Sequence, residues 1–351
     1  MDDTTFVRLP VVSQEDFEHQ HSGVRKAAAT SLKEFGPAAA PFAEHLAEKM
    51  AHADPAWHRK AAAALEWMGP EGAFALAGQL GHQDYLVQRS AMEALASLSG
   101  EGAAALDSAL ATEGGGPAEA ARERAAEALT WMGDLGAATL VGRLEEPSVE
   151  IRLLVVNAMR RFPEPPIAER LAAVANRLDE DPDHEVRAAA ARTLQAYGHP
   201  GALALSAKLR SRDEDAQARA AAALREAGAH GASALAGLLA SAEAAGVRRR
   251  AATALQGMAA VGAAALRVRL EDPDPGVRWR AAEALGRMED LAAVVPHAES
   301  LARCLEDDCP WVRTAAARSL EALGGPAVEK HSGALEGRKG DANQLVRKVA
   351  A

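Results

Sequence analysis

The chain has 351 residues, with 39 Lys and Arg against 49 Asp and Glu, a net charge of −10 and a pI near 5.6. That acidity keeps it soluble and argues against a nucleic-acid role, while aromatics at 4% leave too few large side chains for one thick compact core. Two cysteines, Cys304 and Cys309, make neither a disulfide framework nor a credible zinc site, and no apolar run approaches the ~18 residues that a membrane span requires.

The N-terminus, Met1-Asp2-Asp3-Thr4-Thr5, is acidic and lacks an apolar signal core, so the chain reads as intracellular, cytoplasmic by default, with an organelle left open. Residues 1–21 are expected to form an irregular cap or a first A helix. From Val24 onward one helical pattern, V-R-x-x-A-x-x-A-L, returns ten times. Its final apolar residue falls at Leu32, Leu65, Leu95, Leu129, Met159, Leu194, Leu224, Leu255, Leu285 and Leu320, a period of 30 to 35 residues. A period of that size marks a solenoid whose units are too small to fold alone and are stabilised by their neighbours.

Each copy reads as an α-helix. In the ninth, Val277, Ala281, Ala284, Leu285 and Met288 fall on one apolar stripe after an Asp-Pro turn suited to capping. The alanine four residues before the leucine recurs at Ala28, Ala61, Ala91, Ala125, Ala190, Ala220, Ala251, Ala281 and Ala316, with Val155 as the exception. A residue held that small predicts direct helix contact. Gly36, Gly69, Gly133, Gly198 and Gly324 lie four residues past the leucine, where a left-handed C-cap is expected.

Between these B helices lies an A helix with its own signature, Gly-Ala-x-Ala-Leu, beginning at Gly72, Gly102, Gly136, Gly201, Gly231 and Gly262. Longer versions are expected at Pro41–Met50, Pro166–Leu178 and Val295–Leu305. Two stretches, Thr112–Pro117 and Arg161–Pro166, break the rhythm without losing register and read as loop variation. Residues 22–324 therefore form the repeat array, and 325–351, with Gln344-Leu345-Val346-Arg347, a partial final unit or cap.

These units resemble HEAT repeats of the armadillo-like class, in the turn aspartates with V-R and A-L, as in Asp183-His184-Glu185-Val186-Arg187 leading to Thr193-Leu194. The resemblance implies an all-α right-handed α-α superhelix of about ten HEAT-like helix pairs, with B helices lining the concave face. It further implies a scaffold that cradles other macromolecules. The second, third and seventh units depart from it, with His58, Gln88 and Gln217 at the arginine position, so an Arg–Asp bond is not expected there.

The distributed signal is charge. The ten twelve-residue B-helix windows hold 23 of the 39 cations but only 8 of the 49 anions. Arg25, Arg122, Arg152, Arg187, Arg248, Arg278 and Arg313 sit at helix starts, where the dipole disfavours a cation, and are expected to pair with turn carboxylates. Positions facing away from the stack carry Lys26, Arg59, Arg89, Arg160, Arg161, Arg192, Arg225, Arg249, Arg287 and Arg318. A solvated face accounts for that row, and the alternative is a groove for an acidic segment.

Trp67, Trp131 and Trp279 lie on the same outward stripe, either as partner contacts or packed against an adjacent helix, whereas Trp57 at the valine position reads as core. Trp131, Leu153, Asn157, Arg160 and Arg161 form the leading patch. His184-Glu185 is the only His-Glu pair, where the metal-dependent hydroxylases built on such repeats would show several. No metal or cofactor site is expected, at His19 and His21 included. The leading expectation is a non-catalytic scaffold or adaptor binding an acidic or amphipathic protein segment. The alternatives are a lyase-like or chaperone subunit holding a pigment or small ligand and, behind it, a nucleic-acid-binding solenoid.

Overall fold

The structure, a computed structural model, describes residues 15–16, 19–51, 55–162, 168–240 and 244–349. Most of the expected N-terminal cap and the proline-rich connection at 163–167 lie outside the described residues, which contain no strand. The chain divides into two compact units, Met1–Ala173 and Val174–Ala351.

In the first unit the B helices are α1 (Ser22–Phe35), α3 (Pro55–Leu65), α5 (Tyr85–Ser97), α7 (Pro117–Trp131) and α9 (Val149–Met159). The A helices between them are α2 (Ala43–Glu48), α4 (Pro70–Gly78), α6 (Ser99–Leu110) and α8 (Gly133–Gly142), and the division between the units falls within α10 (Ala168–Glu180). The second unit continues the alternation with B helices α11 (His184–Ala196), α13 (Glu214–Glu226), α15 (Ala245–Gln256), α17 (Pro275–Gly286) and α19 (Pro310–Leu323). Its A helices are α12 (Gly198–Ala207), α14 (Gly228–Ala240), α16 (Ala259–Arg269) and α18 (Ala298–Arg303), and α20 (Gly325–Gly337) and α21 (Gln344–Val349) close the series. Within each unit B helices pack on B helices and A on A, as a solenoid requires.

The repeat pattern has a steric reason. A Cβ placed on Gly72, Gly102, Gly136, Gly201, Gly231 or Gly262 would overlap the backbone carbonyl of Leu65, Leu95, Leu129, Leu194, Leu224 or Leu255, seven residues earlier. Each of these six A helices thus turns back onto its own B helix at the repeat leucine, so closely that only glycine fits. The ten small-residue positions from Ala28 to Ala316, Val155 included, are all buried, and so are the ten repeat leucines and methionine.

Gly36, Gly69, Gly133, Gly198 and Gly324 adopt positive φ as expected, but the first two and the last are not in the left-handed helical conformation. Gly36, Gly69 and Gly324 have φ of 55°, 70° and 59° with ψ of −133°, −149° and −175°. That region is essentially reserved for glycine, because the chain must reverse sharply into the A helix. Ser99 and Ala259 occupy the same repeat position with φ of 45° and carry a strain the glycines avoid.

Aspartates begin the B helices. Asp84, Asp183, Asp213 and Asp274 each accept a hydrogen bond from the backbone N–H two residues on, at 2.8 to 3.0 Å. Trp57 is fully buried and its Nε1 donates to the Lys49 carbonyl at 2.7 Å, which fixes it as core.

Candidate functional site

The arginines at the B-helix starts were expected to pair with turn carboxylates of their own or a neighbouring unit, and they also bind backbone carbonyls. Arg152 donates to the carbonyls of Glu146 and Pro147, and Arg187 to those of Asp181 and Pro182, all within 2.9 Å. Arg25, Arg278, Arg313 and Arg347 reach the same two carbonyls of their own turns. The side chain therefore ties down the loop that leads into its helix. Carboxylates enter from the following repeat: Arg278 is bidentate to Asp307 at 2.7 and 2.9 Å, and Arg313 to Asp341 at 2.9 Å. The Arg313 guanidinium and the backbone N–H of Asn343 hold the Asp341 carboxyl below its ordinary range. Burial pushes Asp307 upward, but hydrogen bonds from Arg278 and Cys309 outweigh it and the carboxyl ends lowered.

Two of the three units lacking the arginine keep the bond through a glutamine. Gln88 Nε2 donates to the His82 carbonyl at 2.5 Å and Gln217 Nε2 to that of Ser211 at 2.6 Å. An amide serves because the acceptor is a carbonyl.

A second set of arginines escaped the sequence reading. Arg219 donates to the carbonyls of Leu178 and Asp179, and Arg250 to that of Leu209, at 2.8 to 3.2 Å. They cap the unsatisfied C-terminal carbonyls of the A helix of the preceding repeat. Every residue has a carbonyl, so no side-chain pattern announces this role.

The outward row behaves differently. Arg59, Arg89, Arg160, Arg161, Arg192, Arg225, Arg249, Arg287 and Arg318 are all exposed, and Lys26 is half-buried. Arg89 and Arg287 each make an ion pair with a glutamate of their own helix, Glu93 at 2.8 Å and Glu283 at 2.9 Å. Among the described residues, the cations at 59, 160, 161, 192, 225, 249 and 318 have no such partner.

The tryptophans divide. Trp67 is 55% exposed, with Lys33 Nζ 5.2 Å above its ring. Trp131 is 48% exposed at the end of α7; Leu153 and Asn157 on the adjoining α9 are half-buried, and Arg160 and Arg161 follow its C-terminus. Trp279 on α17 is half-buried, with the Arg280 guanidinium 5.8 Å from its ring.

The structure brings Arg249, Trp279 and Arg287 together and adds Trp311, 58% exposed at the start of α19. Trp279, Glu283 and Arg287 form a ridge along α17 that separates two open clefts. One, of about 200 Å³, lies toward α19 against Trp311 and Arg318. The other, of about 300 Å³, lies toward α15 against Arg248, Arg249 and Arg280. Burial and the neighbouring Arg248 charge lower the Arg280 pKa, with Asp274 compensating only in part.

For chemistry the described residues offer little. No group of three or more His, Cys, Asp or Glu side chains is placed to hold a metal ion; the His19 and His21 rings merely stack 5.5 Å apart. Burial raises the Cys304 thiol to about 11, far from a reactive thiolate. No helix is long and apolar enough to cross a membrane.

Comparison with known proteins gives the family. The family model for HEAT repeats matches residues 137–226 and 263–351, just over half of the chain. No curated protein matches. Among solved structures, an engineered protein is similar at 23% identity over 96% of both chains, with a TM-score of 0.30. Human deoxyhypusine hydroxylase in complex with glycerol is 22% identical over 80% of this chain and 94% of its own, TM-score 0.29. The karyopherin Kap121p, bound to the extreme C-terminus of the protein phosphatase Cdc14p, is 14% identical over 96% of this chain, TM-score 0.36. This chain spans only 44% of that karyopherin's length. The three likenesses carry no functional weight at these values; the repeat pattern, the alternating helix packing and the family match together establish that the chain belongs to the HEAT-repeat family.

Proposed function

We propose that this HEAT-repeat protein is a non-catalytic scaffold or adaptor whose B-helix face receives an acidic or amphipathic segment of a protein partner. Residues 22–324 serve as the repeat array and 325–351 as a partial final unit. The observation that carries the reading is the row of exposed arginines without ion pairs on a chain of net charge −10. Cations that the fold does not consume remain available, and Trp and Arg are the residue types that most often anchor interfaces. Arg160, Arg161, Arg192, Arg225 and Arg249, with Arg287, which pairs with Glu283 of its own helix, and with Trp67, Trp131, Leu153, Asn157 and Trp279, are the proposed contacts.

Affinity capture from cell extract tests this. A partner retained by the native chain should be lost when Arg160→Glu and Arg161→Glu are combined, while the far-UV helical signal stays the same. Retention unchanged by that pair, and by Arg249→Glu with Arg287→Glu, would rule the arginine face out.

A further inference from the structure

The two clefts beside Trp279 differ in what they can accept. In the cleft toward α19 the polar groups of the floor are already used. Ser319 Oγ donates within its own seam, at 2.7 Å from the Ala282 carbonyl and 2.8 Å from that of Ala315, and Thr314 Oγ1 donates to the Pro310 carbonyl at 2.9 Å. A Cβ on Gly286 would overlap Ser319, so α17 and α19 touch there and close the bottom. What remains open is walled by the indoles of Trp279 and Trp311. The indole walls and the satisfied floor reward an apolar side chain there, with Glu283, Arg287 and Arg318 completing the lining.

The cleft toward α15 is the reverse. Arg249 and Arg280 have neither a hydrogen bond nor an ion pair within the described chain, and Arg248 adds a third guanidinium. Arg280 is half-buried beside that like charge. A carboxylate arriving there would relieve repulsion and gain charge-assisted hydrogen bonds.

Resting on the scaffold reading above, we propose that the α15–α17–α19 surface is a two-pocket receptor for an extended acidic peptide, with a carboxylate against Arg249 and Arg280 and a bulky apolar side chain between Trp279 and Trp311. The spacing follows from helix packing. Adjacent inter-helix clefts repeat at roughly 10 Å. A polyproline II segment places side chains i and i+3 on one side about 9 Å apart, whereas a β-strand offers about 7 or 13 Å. The ligand is therefore an acid-x-x-apolar segment in polyproline II form.

Fluorescence anisotropy with labelled peptides tests it on the full-length chain. A peptide with the core Asp-Pro-Pro-Leu should bind at least tenfold tighter than its Asn-Pro-Pro-Leu counterpart and than a core shortened to Asp-Pro-Leu. Arg249→Gln with Arg280→Gln should erase the preference for Asp over Asn, and Trp311→Ala should weaken both peptides about tenfold. Equal affinity for the Asp and Asn peptides, or a preference that survives the arginine changes, overturns the proposal. Displacement of the peptide by a random DNA duplex of comparable affinity also overturns it, in favour of general polyanion binding. Peptides ignored while Arg160→Glu and Arg161→Glu still abolish partner capture would sink this inference and leave the scaffold reading intact.

Discussion

The arginines of this protein fall into two populations that differ in what lies around them. Those at helix starts and seams, such as Arg187, Arg219, Arg250 and Arg313, spend their donors on carbonyls and carboxylates of their own or a neighbouring repeat. The A helices are knitted likewise, with Arg143 bidentate to Asp107 at 2.7 Å and Arg170 paired with Asp134. Those on the outward B-helix row, such as Arg160, Arg192, Arg249 and Arg318, touch no carboxylate within the described chain. One population holds the repeats in register; the other presents charge. The same residue type serves architecture or recognition according to whether the fold has already used its hydrogen bonds.

Removing a seam partner is the strongest way to test that division. Asp341→Ala leaves Arg313 facing an empty, largely buried site, and should cost about 3 kcal/mol in urea unfolding. Gly231→Ala attacks the seam sterically by driving a methyl into the Leu224 carbonyl. It should cost about 2 kcal/mol, as overpacking does. A loss below 0.5 kcal/mol for either change would show that the seams tolerate far more than their geometry suggests.

Acid should find the same weak points. The Asp307 and Asp341 carboxyls sit below their ordinary values when folded. Their contribution is complete above the unfolded pKa of about 3.9 and is lost as the pH falls through the lowered folded values. The urea midpoint is expected to hold steady above pH 5 and to drop below pH 4, less steeply in Asp341→Ala.

How far the sequence carried the reader can be judged on particular residues. The period, the buried alanines and Trp57 were legible because they reflect side-chain size at fixed helical spacing. The exposure of Arg249 and Arg287, and the outward stripe holding Trp279, followed from helical register alone. The turn carboxylates that Arg278 and Arg313 engage were expected, but the carbonyls that the helix-start arginines also take were not legible, since no residue type advertises a backbone acceptor. For the same reason Gln88 and Gln217 looked like departures and turned out to be substitutes. Trp311 precedes the repeating window, so helical register does not place it, and its position in the cleft depends on how α17 meets α19. The glycine turns were right in sign of φ, and at Gly36, Gly69 and Gly324 wrong in ψ, because spacing reports a reversal but not its path.

Smaller effects sharpen the contrast further. Ala259→Gly relieves a φ of 45° at a position where other repeats carry glycine, and should stabilise the chain by about 1 kcal/mol in the same urea assay. The outward row predicts the smallest change of all. Arg249→Gln with Arg318→Gln should move stability by less than about 0.5 kcal/mol, since neither side chain holds the fold together. A larger loss would move both into the architectural population.

The glycine–leucine contacts bear on how the chain acquires its shape. Each joins residues only seven positions apart, so a nascent B–A corner can test its own fit long before distant repeats have been synthesised. Contacts that local favour rapid folding. Errors would then be caught corner by corner, and lengthening such a protein by duplication would demand no new long-range search.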